Sequence, residues 1–199
     1  MNLARILYPV QVLGPGNRIG LWLCGCHRAC EGCSNPELWD RREEFEIDVP
    51  NVIGLISKVA KSNRIDGFTI SGGEPFLQAD ELARLLPFLS SISTDILIYT
   101  GYCLEELRDL NDKSINSILD SAAVIIAGAY IESLNDDSIL RGSSNQQIHI
   151  TNPEYEKIYQ QYLANTHNQI QNFTTMDGVV SVGIHRKSFR RPNYEPNHK

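Results

Sequence analysis

Short runs of aliphatic residues alternate along the chain with longer stretches in which apolar positions recur every three or four residues. The runs are Ile19 to Leu23, Gly67 to Ile70, Ile96 to Tyr99 and Ala123 to Ile126. Each ends in a loop of unusual composition: Cys-Gly-Cys, Ser-Gly-Gly-Glu-Pro, Thr-Gly-Tyr and Ala-Gly-Ala-Tyr in turn. Between them, Asn51 to Lys61, Ala79 to Ser90 and Leu104 to Leu110 carry helical periodicity, and Asp80 is the expected cap of the second. Strands alternating with helices predict parallel βα units, their strands buried on both faces. The expected fold is α/β, a partial, open parallel βα barrel forming a single domain over residues 1–150. Function in such folds sits at the carboxyl ends of the strands, where all four unusual loops fall.

Beyond that region Ile148 to Ile150 predicts one more strand, Glu154 to Leu163 a helix and Val179 to Ile184 a late strand. Residues 151–185 are therefore expected as a C-terminal extension packed on the barrel. Residues 186–199 are polar and basic, with Arg186, Lys187, Arg190, Arg191 and Lys199 against Glu195 alone, and read as a flexible tail.

Composition narrows the function classes. A chain of 199 residues with 42% hydrophobic positions has enough apolar content for its own core. Its net charge of -6 argues against a general affinity for nucleic acid or an anionic membrane surface, both of which need cationic partners. No run approaches the eighteen or so apolar residues of a membrane-spanning helix. Met1 to Val10, interrupted by Arg5 and Pro9, lacks the features of a secretory signal, so a cytoplasmic, reducing setting is expected. There, crowded cysteines are metal ligands or catalysts more often than disulfides, and four of the five lie between Cys24 and Cys33.

Cys26, Cys30 and Cys33 offer three thiolates from one short loop. That number can grip a four-iron cube and leave one corner open for chemistry. A structural zinc site would instead bring two separated ligand pairs into a closed tetrahedron, and no second pair is present. Cys24 and His27 stay open as alternative occupants of the fourth corner. Cys103 stands apart and is expected to be a small buried hydrophobe.

The spacing Cys-x3-Cys-x2-Cys after a strand resembles the signature of the radical S-adenosylmethionine superfamily. Gly14-Pro15-Gly16-Asn17-Arg18, Asn35-Pro36-Glu37-Leu38-Trp39-Asp40 and Ser71-Gly72-Gly73-Glu74-Pro75 resemble segments of glycyl-radical-enzyme activases. Tyr99-Thr100-Gly101-Tyr102 and Leu140-Arg141-Gly142-Ser143-Ser144-Asn145-Gln146 are similar to the activating proteins of anaerobic ribonucleotide reductase. The resemblance covers roughly residues 12 to 147.

This resemblance implies a radical SAM partial barrel, with a [4Fe-4S] cluster on Cys26, Cys30 and Cys33 and S-adenosyl-L-methionine as second cofactor. It implies reductive cleavage of that cofactor to a 5′-deoxyadenosyl radical, which takes a hydrogen atom from one glycine of a partner reductase. Flavodoxin or ferredoxin is the implied electron donor. Gly72 and Gly73 are assigned to the methionine end of the cofactor, with Glu74 as a carboxylate partner or a brace for the turn. Gly32, Cys33 and Ser34 are assigned backbone contacts to the adenine, Asn35 a role in fixing the loop and Thr100 the ribose hydroxyls. Arg18, Arg28 and Arg141 are candidates for the cofactor carboxylate.

Two positions depart from the family pattern: Leu13 stands where an aspartate is usual, and Ala127-Gly128-Ala129-Tyr130 replaces an Asp-Gly before an aromatic residue. With the long C-terminal region, they keep a second reading open, a radical enzyme modifying a peptide or small metabolite. A third is non-catalytic, an iron–sulfur electron carrier or a zinc-stabilised interaction module.

Overall fold

The structure, a computed structural model, describes residues 1–164, 168–175 and 178–185. The expected flexible tail, 186–199, lies outside the described residues. A six-stranded sheet runs in chain order: β1 (Leu3–Val10), β2 (Arg18–Leu23), β3 (Gly67–Gly72), β4 (Ile96–Thr100), β5 (Val124–Ala127) and β6 (Gln147–Ile150). The four strands expected from the hydrophobic runs form its parallel centre, β2 to β5, whereas β1 and β6 pair antiparallel at the two edges.

The fold is thus α/β with a mostly parallel sheet, and no closed barrel forms. The expected all-parallel order gives way at both edges, where the connections carry no crossover helix. β1 reaches β2 through the short turn Gln11–Asn17, and a parallel return would need a crossover of a dozen residues or more. β5 reaches β6 through a loop whose one helical feature is a 3-10 turn at Glu132–Leu134.

One face of the sheet is covered by α1 (Val49–Lys61), α2 (Ala79–Ile92), α3 (Leu104–Asp109) and α4 (Lys113–Ser121). Because strand side chains alternate, Ile19, Leu21, Phe68, Ile70, Ile96 and Ile98 point to this face. They meet Val52 and Ile56 of α1 and Leu82, Leu85, Leu86 and Leu89 of α2, the i, i+3, i+4, i+7 stripe of an amphipathic helix. Asp48 caps α1 by accepting from the Asn51 N–H at 2.8 Å. α4, absent from the sequence reading, is capped by Asp112, which accepts from the N–H groups of Ser114 and Ile115.

The opposite face carries α5 (Glu156–Leu163) and a hairpin of β7 (Ile170–Thr175) and β8 (Gly178–Gly183). Tyr159 of α5 packs on Leu97, Val124 and Ile126; Val182 of β8 packs with Val10, Trp22 and Leu38.

Two local expectations are corrected. Asp80 is not the cap of α2: a 3-10 turn, Pro75–Gln78, leads straight into the helix, placing Asp80 in its first turn with a hydrogen bond from the Ser114 hydroxyl at 2.6 Å. Cys103 is exposed, because it begins α3 at the surface, where its N–H donates to Glu106 at 2.7 Å.

Candidate functional site

β2 and β3 end side by side, Leu23 opposite Gly72, and so deliver the cysteine loop and the Gly-Gly turn to one place. The two backbones are laced together: Gly73 N–H donates to the Leu23 carbonyl and Glu74 N–H to the Gly25 carbonyl, each at 2.7 Å. Gly72 has φ +118°, and a Cβ there would collide with the Leu23 backbone, as one on Gly73 would with the Gly25 carbonyl. The glycine pair is therefore required first by the approach of the cysteine loop. On the loop's other side, Gly25 N–H donates to Leu38 and Cys26 N–H to Trp39, at 2.9 and 2.8 Å.

Cys26, Cys30 and Cys33 line a single pocket with Ser34, Asn35, Gly72, Gly73, Glu74 and Thr100. Among the described residues no three His, Cys, Asp or Glu side chains are grouped closely enough to hold a single metal ion. Burial raises the Cys30 and Cys33 thiol pKa values above the ordinary one. The Tyr130 main chain partly offsets this at Cys30; the Asn35 N–H, 3.4 Å from Cys33 Sγ, and the Trp39 indole do so at Cys33. The indole N–H falls short of full hydrogen-bond geometry.

Cys24 is fully buried, its side chain in the core with Val10, Trp22 and Leu38, and does not line the pocket. His27 is exposed and also outside the lining. Gly32 stands just beyond it, against the Glu132 side chain.

Glu74 is 2% exposed and braces the strand ends. It accepts from the Thr100 hydroxyl at 2.9 Å, Gly101 N–H at 2.7 Å and Phe76 N–H at 3.0 Å. Burial raises its pKa, and those three donors with Arg28 pull it back. The Thr100 oxygen also accepts from Tyr102 N–H at 3.1 Å.

The three candidate arginines part ways. Arg18 is wholly buried at the foot of the sheet, bonded to Thr69 and Asp95 and outside the pocket, so it cannot meet a cofactor there. Arg141 pairs with Asp136 at 2.8 Å, also outside the lining. Its neighbours in the motif serve the fold: Asn145 and Gln146 donate to the carbonyls of Ala129 and Gly128, each at 2.8 Å, and pin the end of β5. Arg28 alone lines the pocket, its guanidinium 4.5 Å from the Tyr102 ring centre and 3.0 Å from Glu106, with Nε buried and unpartnered.

The sequence reading missed Trp39, Tyr99 and the hairpin residues Ser181 and His185, all of which line this pocket. The Tyr99 hydroxyl is buried without a hydrogen-bond partner. Period-two alternation was the available signal, since Tyr99 must face away from Ile98 and Thr100.

A mostly parallel α/β sheet carrying three free thiols and unpartnered donors at its strand ends defines a protein shaped to hold an inorganic cluster beside a polar ligand. Accordingly, residues 12–149 match the family model described as the 4Fe-4S single cluster domain. The anaerobic ribonucleoside-triphosphate reductase-activating protein of Enterobacteria phage T4 is 35% identical over 153 residues, spanning 74% of this chain and 93% of that protein. The proteins of the same name from Haemophilus influenzae and Escherichia coli K12 are 36% and 32% identical over 151 residues, each spanning 71% of this chain and 94% of the relative. The chain belongs to the family of anaerobic ribonucleoside-triphosphate reductase-activating proteins.

Proposed function

We propose that this chain binds a [4Fe-4S] cluster through Cys26, Cys30 and Cys33 and, with S-adenosyl-L-methionine, installs a glycyl radical on an anaerobic ribonucleotide reductase. The observation that carries it is the convergence of three free thiols, the Gly72–Gly73 turn and the unpartnered Arg28 Nε on one pocket. When bound and reduced, the cluster supplies one-electron cleavage of S-adenosylmethionine to methionine and a 5′-deoxyadenosyl radical.

The chain's own residues bind and orient. Gly72 and Gly73 offer main-chain groups to the methionine end, and Arg28 Nε offers a charged donor to its carboxylate. Gly32, Cys33 and Ser34 present backbone to the adenine, while Asn35 holds the loop through its N–H to Cys33. Glu74 acts as brace, and Thr100, whose proton is committed to Glu74, has acceptor capacity left for a ribose hydroxyl. The same reading makes the open sheet a radical SAM partial barrel over residues 1–150, with 151–185 an extension packed on it. It also makes a flavodoxin or ferredoxin the electron donor and the cytoplasm the site of action. Among the described residues no helix is long and apolar enough to cross a membrane.

Anaerobic reconstitution, reduction and product analysis test this. The expected result is 5′-deoxyadenosine from the reduced protein and a doublet paramagnetic signal on added reductase. Cleavage without the doublet would redirect the reading to a peptide or small metabolite as target. A cluster whose spectrum ignores S-adenosylmethionine would make the chain an electron carrier.

A further inference from the structure

The C-terminal hairpin gives the pocket a wall that lies outside the family match. That match ends at residue 149, yet Ser181, Val182, Ile184 and His185 line the pocket. The hairpin is fastened across the sheet face. Near β1, Gln171 accepts from Gln11 N–H at 3.0 Å and donates to the Pro9 carbonyl at 2.7 Å. Toward the loop after β5, Asn135 donates to the His185 carbonyl at 3.0 Å.

The pocket therefore has two chemically different ends. One holds the thiols, the glycine turn, Arg28 and Glu74. The other is lined by Leu13, Trp22, Tyr99 and the hairpin, which pack together. Its lining contains no carboxylate, lysine or arginine among the described residues; its polar groups are the unpartnered Tyr99 hydroxyl and the Ser181 hydroxyl, 3.1 Å from His185 Nε2. Such an end suits a neutral ligand with both donors and acceptors. A glycine-bearing peptide segment fits that description: its reacting residue has no side chain, so recognition falls on main-chain N–H and C=O groups. A buried phenol lacking a partner gains from a ligand that supplies one.

Resting on the function proposed above, we infer that Tyr99, Ser181 and His185 form the subsite for the main chain of the reductase's glycine-bearing segment. The hairpin packs against Leu13 and Trp22 beside this subsite.

The test uses the full-length reconstituted protein and its reductase, comparing wild type with Tyr99→Phe and with the double variant Ser181→Ala/His185→Ala. If wild type forms no 5′-deoxyadenosine, the function itself fails and the subsite is not at issue. Given wild-type activity, both variants should raise the KM for reductase about tenfold and consume more S-adenosylmethionine per glycyl radical formed, with the KM for S-adenosylmethionine within twofold. Cluster content and circular dichroism equal to wild type exclude misfolding as the cause, and His185→Gln should restore part of the effect within the double variant. Unchanged reductase KM in both variants overturns the inference, as does a rise confined to the KM for S-adenosylmethionine, which would place these groups against the cofactor.

Discussion

Arg18 and Asp95 form a buried ion pair, Nη1 to Oδ2 at 2.6 Å, that ties the start of β2 to the residue preceding β4 beneath the pocket. The guanidinium also donates to the Thr69 hydroxyl and the Phe68 carbonyl, and the other Asp95 oxygen accepts from Tyr159 of α5 at 2.7 Å. Removing one partner strands the other without water. Asp95→Ala should therefore cost about 3–5 kcal/mol, whereas a well-packed apolar replacement of both partners would cost far less. Urea unfolding of both variants, read by tryptophan fluorescence, checks this; a loss below about 1 kcal/mol for Asp95→Ala would show the pair to be dispensable.

Glu74 accepts three hydrogen bonds with one carboxylate, and no neutral isostere can do the same. An amide at this position has one oxygen for donors on both sides, and its NH2 faces a donor that it cannot satisfy. Glu74→Gln should lose about 1–3 kcal/mol of stability. It should also loosen Thr100 and Gly101 at the pocket wall, raising the Kd for S-adenosylmethionine. An isothermal binding titration with the reconstituted variant measures the second effect; wild-type affinity would mean that the strand ends hold without the brace.

The parallel centre of the sheet was legible because Ile19, Phe68, Ile96 and Ile125 sit in continuous apolar runs of a kind only strands buried on both faces carry. β1 was hidden by its place at the edge: six of its eight residues are only partly buried, and Arg5 and Pro9 break the pattern. α4 was overlooked although the sequence marks it, with Asp112 as a cap and Ile115 and Ile118 at helical spacing. The thiols and the glycine turn were legible because spacing along the chain fixes them. Arg18 was misjudged because it begins β2, at the end of the sheet away from the strand-end loops, where its partner Asp95 comes from far along the chain; Tyr99 was overlooked because alternation gives its face but not the distant hairpin that turns that face into a pocket.

Asp66 predicts the acid limb of the stability curve. It accepts from Asn17 N–H at 2.8 Å and from Arg64 Nε at 2.7 Å, and the backbone bond is the main cause of its lowered pKa. A carboxyl with a depressed folded-state pKa adds stability above its unfolded value, near pH 4, and loses it as pH falls through the folded value. Glu74 works in the opposite sense: its raised pKa means stability declines as pH rises from the unfolded value through the folded one. Asp66→Asn should flatten the loss below about pH 4, while the Glu74-dependent slope above that pH persists. Unfolding free energies from pH 3 to pH 6 decide it; an acid limb as steep as that of wild type would assign the effect to other carboxylates.

Cys24 and Cys26 are two residues apart and have opposite surroundings, which separates the cluster ligands from the core by mutation. Cys24 is 0% exposed, packed with Val10, Trp22 and Leu38, and burial raises its thiol pKa, so it is held as an uncharged small apolar group. Cys26 turns to the pocket with Cys30 and Cys33. Cys24→Ala should cost about 1 kcal/mol, as a small core truncation does, and leave iron and sulfide content after anaerobic reconstitution unchanged. Cys26→Ala should abolish the cluster absorbance and 5′-deoxyadenosine formation together. Iron content lost in Cys24→Ala, with the protein still folded by circular dichroism, would make Cys24 a ligand and close the corner that an incoming cofactor requires.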